Sequence, residues 1–97
     1  MSDLQPLTRD FALVVGRDVA AGDIVRAAQA AERQLVTGVE VFDVYEGAGI
    51  DPAKKSVAIA VTLQPTQKTL AEAEIEAVSA KIVAEVAKKT GAALRSG

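Results

Sequence analysis

Val41-Phe42-Asp43-Val44-Tyr45-Glu46-Gly47, followed by Lys54-Lys55-Ser56, reads as a strand from Val39 to Glu46, a glycine-marked loop from Gly47 to Lys54 and a second strand from Lys55 to Leu63. Side chains alternate across a strand, so Asp43 and Tyr45 leave one face while Phe42 and Val44 leave the other. In the second of these strands Val57, Ile59, Val61 and Leu63 share one parity; Ser56, Ala58, Ala60 and Thr62 share the other. The large apolar set must be the buried one. Matching the buried sets places Phe42 opposite Ile59 and Val44 opposite Val57. The same register sets Tyr45 opposite Ser56 and Asp43 opposite Ala58 on the open face. A slip of one residue would turn both faces inside out.

Working outward, Phe11-Ala12-Leu13-Val14-Val15 is a short apolar run typical of a central strand, ended by Gly16-Arg17-Asp18. Ile24, Ala28, Ala31 and Leu35 then recur at helical spacing, which predicts a helix from about Val19 to Leu35 with Gly38 beyond it. Downstream, Pro65 breaks the third strand. Thr69-Leu70-Ala71-Glu72 has capping-box spacing, with Thr69 as the expected cap. Ile75, Val78, Ile82 and Val86 make one apolar stripe. Glu72, Glu74 and Glu76 lie in the first turns and Lys88 and Lys89 in the last, matching the helix dipole. Gly91 is the expected stop, and Ala92-Ala93-Leu94-Arg95 a final strand. The predicted order is βαββαβ, an α+β ferredoxin-like fold: a four-stranded antiparallel sheet with two helices on one face and the other face open.

Composition bounds the chemistry. Ninety-seven residues suit a single domain spanning residues 1–97. With 49% apolar residues and only 3% aromatic, the core is built from Val, Ile, Leu and Ala. The chain has no cysteine, histidine or asparagine. That removes thiolate and imidazole metal ligands and the commonest general base. No apolar run reaches the roughly 20 residues of a membrane span, and no signal-peptide pattern opens the chain. A soluble, cytoplasmic protein without membrane partners is expected. Eleven basic and 13 acidic residues give a net charge of −2, so bulk charge cannot grip a phosphate backbone. Any nucleic-acid contact must be local.

The open face suits such a contact. Ala12, Ala58 and Ala60 keep it nearly flat, with Asp43, Tyr45 and Ser56 at one end and Lys54 and Lys55 on the adjacent loop. An aromatic ring can stack on a splayed-out base while polar groups read its edge. A carboxylate accepts from base amino and imino groups but repels phosphate, which points to base reading. The same residues are also compatible with an ordinary solvated or domain-packed sheet face.

Thr8-Arg9-Asp10-Phe11-Ala12-Leu13-Val14-Val15, the stretch Val41–Gly47, Lys54-Lys55-Ser56-Val57-Ala58, Lys68-Thr69-Leu70 and Gly91-Ala92-Ala93-Leu94-Arg95 together resemble the ferredoxin-fold anticodon-binding domain. That domain closes the β subunit of bacterial phenylalanine–tRNA ligase, and the resemblance runs from about Leu4 to Arg95. It implies binding to the GAA anticodon of phenylalanine tRNA. The aspartate and tyrosine of its Phe-Asp-x-Tyr motif and the serine of its Lys-Lys-Ser motif correspond to Asp43, Tyr45 and Ser56. Arg9, Lys54 and Lys55 are the expected phosphate neighbours. The resemblance further implies an α2β2 enzyme using ATP and magnesium, with catalysis in the α subunit and neither cofactor nor catalysis in this domain. Leu4-Gln5-Pro6-Leu7-Thr8 departs from the aromatic and second arginine common ahead of the Arg-Asp pair. Met1-Ser2 and the close at Ser96-Gly97 suggest an excised fragment or the end of a longer chain; a fragment of a longer β subunit, monomeric by itself, is expected.

Rival classes fare worse. An acylphosphatase-type enzyme needs an asparagine to hold its water, and a metal carrier on this fold needs a cysteine pair. A conventional RNA-recognition motif needs more aromatics on the face. A regulatory small-molecule-binding ferredoxin-like domain is the alternative that survives.

Overall fold

The computed structural model describes residues 4–95; Met1-Ser2 and Ser96-Gly97 lie outside them. The elements run β1 (Leu7–Gly16), α1 (Ala21–Ala31), β2 (Val36–Tyr45), β3 (Lys54–Leu63), α2 (Glu72–Thr90) and β4 (Ala93–Leu94). The sheet order is β2-β3-β1-β4, with every neighbouring pair antiparallel. This is the expected ferredoxin-like α+β arrangement.

The core follows from the alternation in β1 and β3. Phe11, Leu13 and Val15 of β1 and Val57, Ile59, Val61 and Leu63 of β3 are buried on the helix side. They meet Ile24, Ala27 and Ala28 of α1 and Val78, Ile82 and Val86 of α2. Burying branched side chains of this size contributes roughly 1.5–3 kcal/mol each, which makes this layer the main source of stability.

Both helices differ from expectation at an end. α1 stops at Ala31, where Glu32 leaves helical geometry. The Glu32 carboxylate accepts from the Gln34 N–H at 3.0 Å and its carbonyl from the Val36 N–H at 3.0 Å. That turn still packs Leu35 against the core. α2 begins at Glu72 after Ala71, so Thr69 is not its cap. The Ala71 N–H donates to the Glu74 carboxylate at 2.9 Å, while the Ala71 carbonyl accepts from the Glu74 and Ile75 N–H groups. Alanine carries no side-chain acceptor, so only the glutamate half of a capping box is made. Leu70 already packs on the core ahead of the helix, which moves the start two residues on from Thr69. Gly91 closes α2 in the left-handed region (φ 76°), its N–H bonded to the Ala87 carbonyl, as its position predicts.

The larger correction lies in β2. Val44 faces Val57, Tyr45 faces Ser56 and Asp43 faces Ala58, all as expected, but Val41 and not Phe42 faces Ile59. Phe42 is the extra residue of a β-bulge. Without the bulge, Glu40 would share the buried parity of Phe42 and Val44. With it, Val39, Val41 and Val44 stay on the helix side while Glu40, Asp43 and Tyr45 stay on the open side. The expectation that Phe42 and Val44 are buried is wrong: they are 58% and 49% exposed, more than Tyr45 at 38%. β2 is an edge strand, and α1, about 16 Å long, cannot shield the whole of a strand of about 33 Å. It covers β2 at Val36, Val39 and Val41 and leaves Phe42 and Val44 uncovered.

Candidate nucleic-acid interface

The open face is laid out in cross-strand rows. One row runs Val14–Ser56–Tyr45 and the next Ala12–Ala58–Asp43. The Arg95 N–H donates to the Ala12 carbonyl at 2.7 Å, so the chain after β4 extends the second row by one residue. Strands lie about 4.8 Å apart, which puts roughly 14 Å between β4 and β2. Two long side chains close that gap. The Arg95 guanidinium lies 5.8 Å from the centre of the Tyr45 ring, a cation–π contact. Ala12 and Ala58 make this possible because they are too small to obstruct the arginine.

The Tyr45 ring is held at its far end too. Its hydroxyl donates to the Ala48 carbonyl at 2.8 Å, tying β2 to the loop between β2 and β3. Gly47 passes close to the ring in a backbone conformation that L side chains rarely adopt (φ 140°). A methyl group there would sit 3.3 Å from the Tyr45 hydroxyl oxygen.

The sequence-predicted residues separate into two groups. Asp43, Tyr45, Ser56 and Lys54 share the open face at the hairpin end. The Asp43 side chain is exposed and makes no hydrogen bond or ion pair, so its carboxylate is free to accept. Ser56 is not accessible as expected: it is only 4% exposed, enclosed by Val14 and Tyr45 in its row with the guanidinium over the ring. Lys54 and Lys55 belong to β3 and not to the loop. Lys55 faces Val15 and has the parity of the core, so it leaves the sheet on the helix side. Arg9 does likewise, facing Val61 and pairing with Glu72 at 3.8 Å. It lies three residues from Ala12, roughly 10 Å along the strand. The fold therefore does not bring Arg9 and Lys55 to the face that holds Asp43 and Tyr45.

Arg95 is the residue that sequence reading missed. Its parity offered a signal, since a strand from Ala92 to Arg95 places it on one face with Ala93. The reach to Tyr45 depends on strand order.

Charge is segregated along the face. Asp10 and Glu40 flank Ala60 toward the middle of the sheet, whereas Lys54 and Arg95 lie at the hairpin end. A polyanion is repelled from the first region and admitted at the second. Among the described residues no group of three or more histidine, cysteine, aspartate or glutamate side chains gathers that could hold a metal ion. Among them, too, no helix is long and apolar enough to cross a membrane.

Fold and face together define a small α+β domain with one exposed sheet platform, its aromatic, carboxylate and cations gathered at the hairpin end. The chain belongs to the ferredoxin-fold anticodon binding domain family, whose match spans residues 2–95. It is 66% identical over 96 residues to the phenylalanine–tRNA ligase beta subunit of Bradyrhizobium diazoefficiens, covering 99% of this chain. The corresponding subunits of Rhodopseudomonas palustris and Paramagnetospirillum magneticum are 66% and 58% identical, covering 98% and 97% of the chain. The chain spans about 12% of the length of each of these relatives.

Proposed function

We propose that this chain is a single anticodon-reading domain of a longer phenylalanine–tRNA ligase β subunit, and that it recognises the GAA anticodon of phenylalanine tRNA on its open sheet face. The observation that carries the reading is the cluster at the hairpin end. Tyr45 offers a stacking surface, Asp43 an unengaged acceptor beside it, and Ser56 a hydroxyl between them and β1. Lys54 and Arg95 supply the positive charge nearest to this cluster. Base–aromatic stacking tolerates any base, so discrimination falls first to Asp43, because Ser56 is enclosed beside Tyr45. Arg9 and Lys55, on the helix side, have no part in base reading; a role for them is confined to phosphates passing the sheet edge.

In this reading the domain is monomeric by itself and catalyses nothing. ATP and magnesium act in the catalytic α subunit of an α2β2 enzyme in the cytoplasm. Asp10 and Glu40 confine the RNA to the hairpin end. The regulatory small-molecule alternative is not favoured, since family membership and the placement of Asp43 and Tyr45 both speak for RNA.

The test is a titration of the chain with an anticodon stem-loop carrying GAA and with scrambled loops, read by amide chemical shifts. The expected result is tighter binding of the GAA loop, with shifts centred on Asp43, Tyr45, Ser56, Lys54 and Arg95. Equal binding of all loops, or shifts confined to α1 and α2, would sink the proposal.

A further inference from the structure

Arg17 makes three contacts with the loop between β2 and β3, and together they touch both of its shoulders. At the outgoing shoulder its guanidinium Nη2 lies 2.7 Å from Glu46 Oε1. At the returning shoulder its Nη1 donates to the Pro52 carbonyl at 3.4 Å and its backbone N–H to the Ala53 carbonyl at 3.1 Å. Arg17 follows directly on β1, and β1 is not the neighbour of β2; β3 lies between them. The side chain therefore crosses the end of β3, about 10 Å of sheet, to reach Glu46.

The two halves of the loop it spans, residues 46–50 and 51–53, share no hydrogen bond with each other. Gly47 and Gly49 both adopt positive φ, and glycine moves among such conformations at little steric cost. Within it the Ile50 N–H bonds to the Gly47 carbonyl, closing the turn that holds Ala48, and on the returning side the Lys54 N–H bonds to the Asp51 carbonyl and the Ala53 N–H to the Asp51 carboxylate at 2.8 Å. Ala48, between the two glycines, carries the carbonyl that receives the Tyr45 hydroxyl. A strap across the shoulders thus limits where that carbonyl can be, and through it where the ring lies.

We infer that Arg17 is a positioning residue for Tyr45, acting through Glu46 and the loop and not by contact with RNA. Its consequence for affinity rests on the proposed RNA-binding function; its consequence for the ring does not. Tyr45 is the chain's single tyrosine and there is no tryptophan, so intrinsic fluorescence reports the ring itself.

The experiment compares the 97-residue chain with Arg17→Ala, Glu46→Gln and the exchanged pair Arg17→Glu/Glu46→Arg. Without RNA, the expected result is lower tyrosine anisotropy and about two-fold greater acrylamide quenching in both single variants, with a return toward wild type in the exchanged pair. With the GAA stem-loop, both single variants should bind two- to five-fold more weakly, the range open to one exposed ion pair. Glu46→Gln separates the mechanisms because it breaks the strap while keeping the cation. If Arg17 instead touched phosphate, Glu46→Gln would bind as well as wild type or better, and that result overturns the inference. Unchanged anisotropy and quenching in RNA-free Arg17→Ala also overturns it. A wild-type chain that does not bind the stem-loop would instead remove the functional reading and leave the ring measurement standing.

Discussion

Replacing Tyr45 separates the two things its side chain does. The ring is the only aromatic surface on the open face, and its hydroxyl spends its proton on the Ala48 carbonyl at 2.8 Å. Tyr45→Phe keeps the ring and removes one hydrogen bond. Such a bond is worth roughly 0.5–1.5 kcal/mol net, with an exposed one at the lower end. The stem-loop affinity should therefore fall about two- to three-fold. Tyr45→Ala removes the stacking surface as well, for which roughly 1–3 kcal/mol per base is usual. At about 1.4 kcal/mol per tenfold, that is a loss of roughly 5- to 150-fold. The cation–π contact with Arg95 is lost too, which frees the guanidinium and blunts the effect slightly. Calorimetric titration of both variants with the GAA stem-loop decides the matter, with urea melts confirming that each remains folded. If Tyr45→Phe loses as much as Tyr45→Ala, the ring is not a stacking platform and the assignment of its role is wrong.

Three further predictions rest on the same geometry. Asp43→Asn should reduce discrimination between GAA and base-substituted loops more than overall affinity, whereas Lys54→Ala should weaken all loops about equally and more than Lys55→Ala does; a matrix of titrations reads this out, and a uniform loss in Asp43→Asn would show that Asp43 reads no base. Ile59→Ala, at a fully buried site, should cost roughly 2–5 kcal/mol in urea unfolding, while Phe42→Ser, at the exposed bulge, should cost less than about 1 kcal/mol; a large loss in Phe42→Ser would mean that the ring is buried after all. With Lys54 and Arg95 as the cations nearest the site among the described residues, and Arg17 held by Glu46, the log–log salt slope of stem-loop binding should be about −2 or shallower; a slope several-fold steeper would place phosphate contacts elsewhere on the surface.

Part of the candidate site was legible in the sequence: Asp43, Tyr45 and Lys54 share the open face, whereas Arg9 and Lys55 do not and Ser56 is enclosed. The alternation of β3 divides it cleanly, and matching the buried sets of β2 and β3 gives the pairs Tyr45–Ser56 and Asp43–Ala58, although eight residues separate the two strands. The bulge was harder to see, yet a trace of it lies in the sequence. Val39, Glu40 and Val41 alternate in one phase and Phe42 and Val44 in the other. Both phases cannot belong to one regular strand without burying Glu40. The fault is visible, but which residue absorbs it is decided by packing.

What the sequence determined by itself is whatever depends on neighbours a few residues apart: the element order, the stripe of α2, its glycine stop, and the two faces of β3. Periodicity is a local property, and burial enforces it strongly where an element is covered from end to end. Only the tertiary structure decided the rest. An edge strand outruns the helix meant to cover it, so Phe42 and Val44 stand exposed despite their apolar character. Ser56 is enclosed because a tyrosine from β2 and an arginine from beyond β4 meet near it, fifty residues apart along the chain. Arg17 reaches Glu46 across a strand that lies between them. Each of these depends on which strands are neighbours and how far a side chain can reach, quantities that exist only once the sheet has assembled.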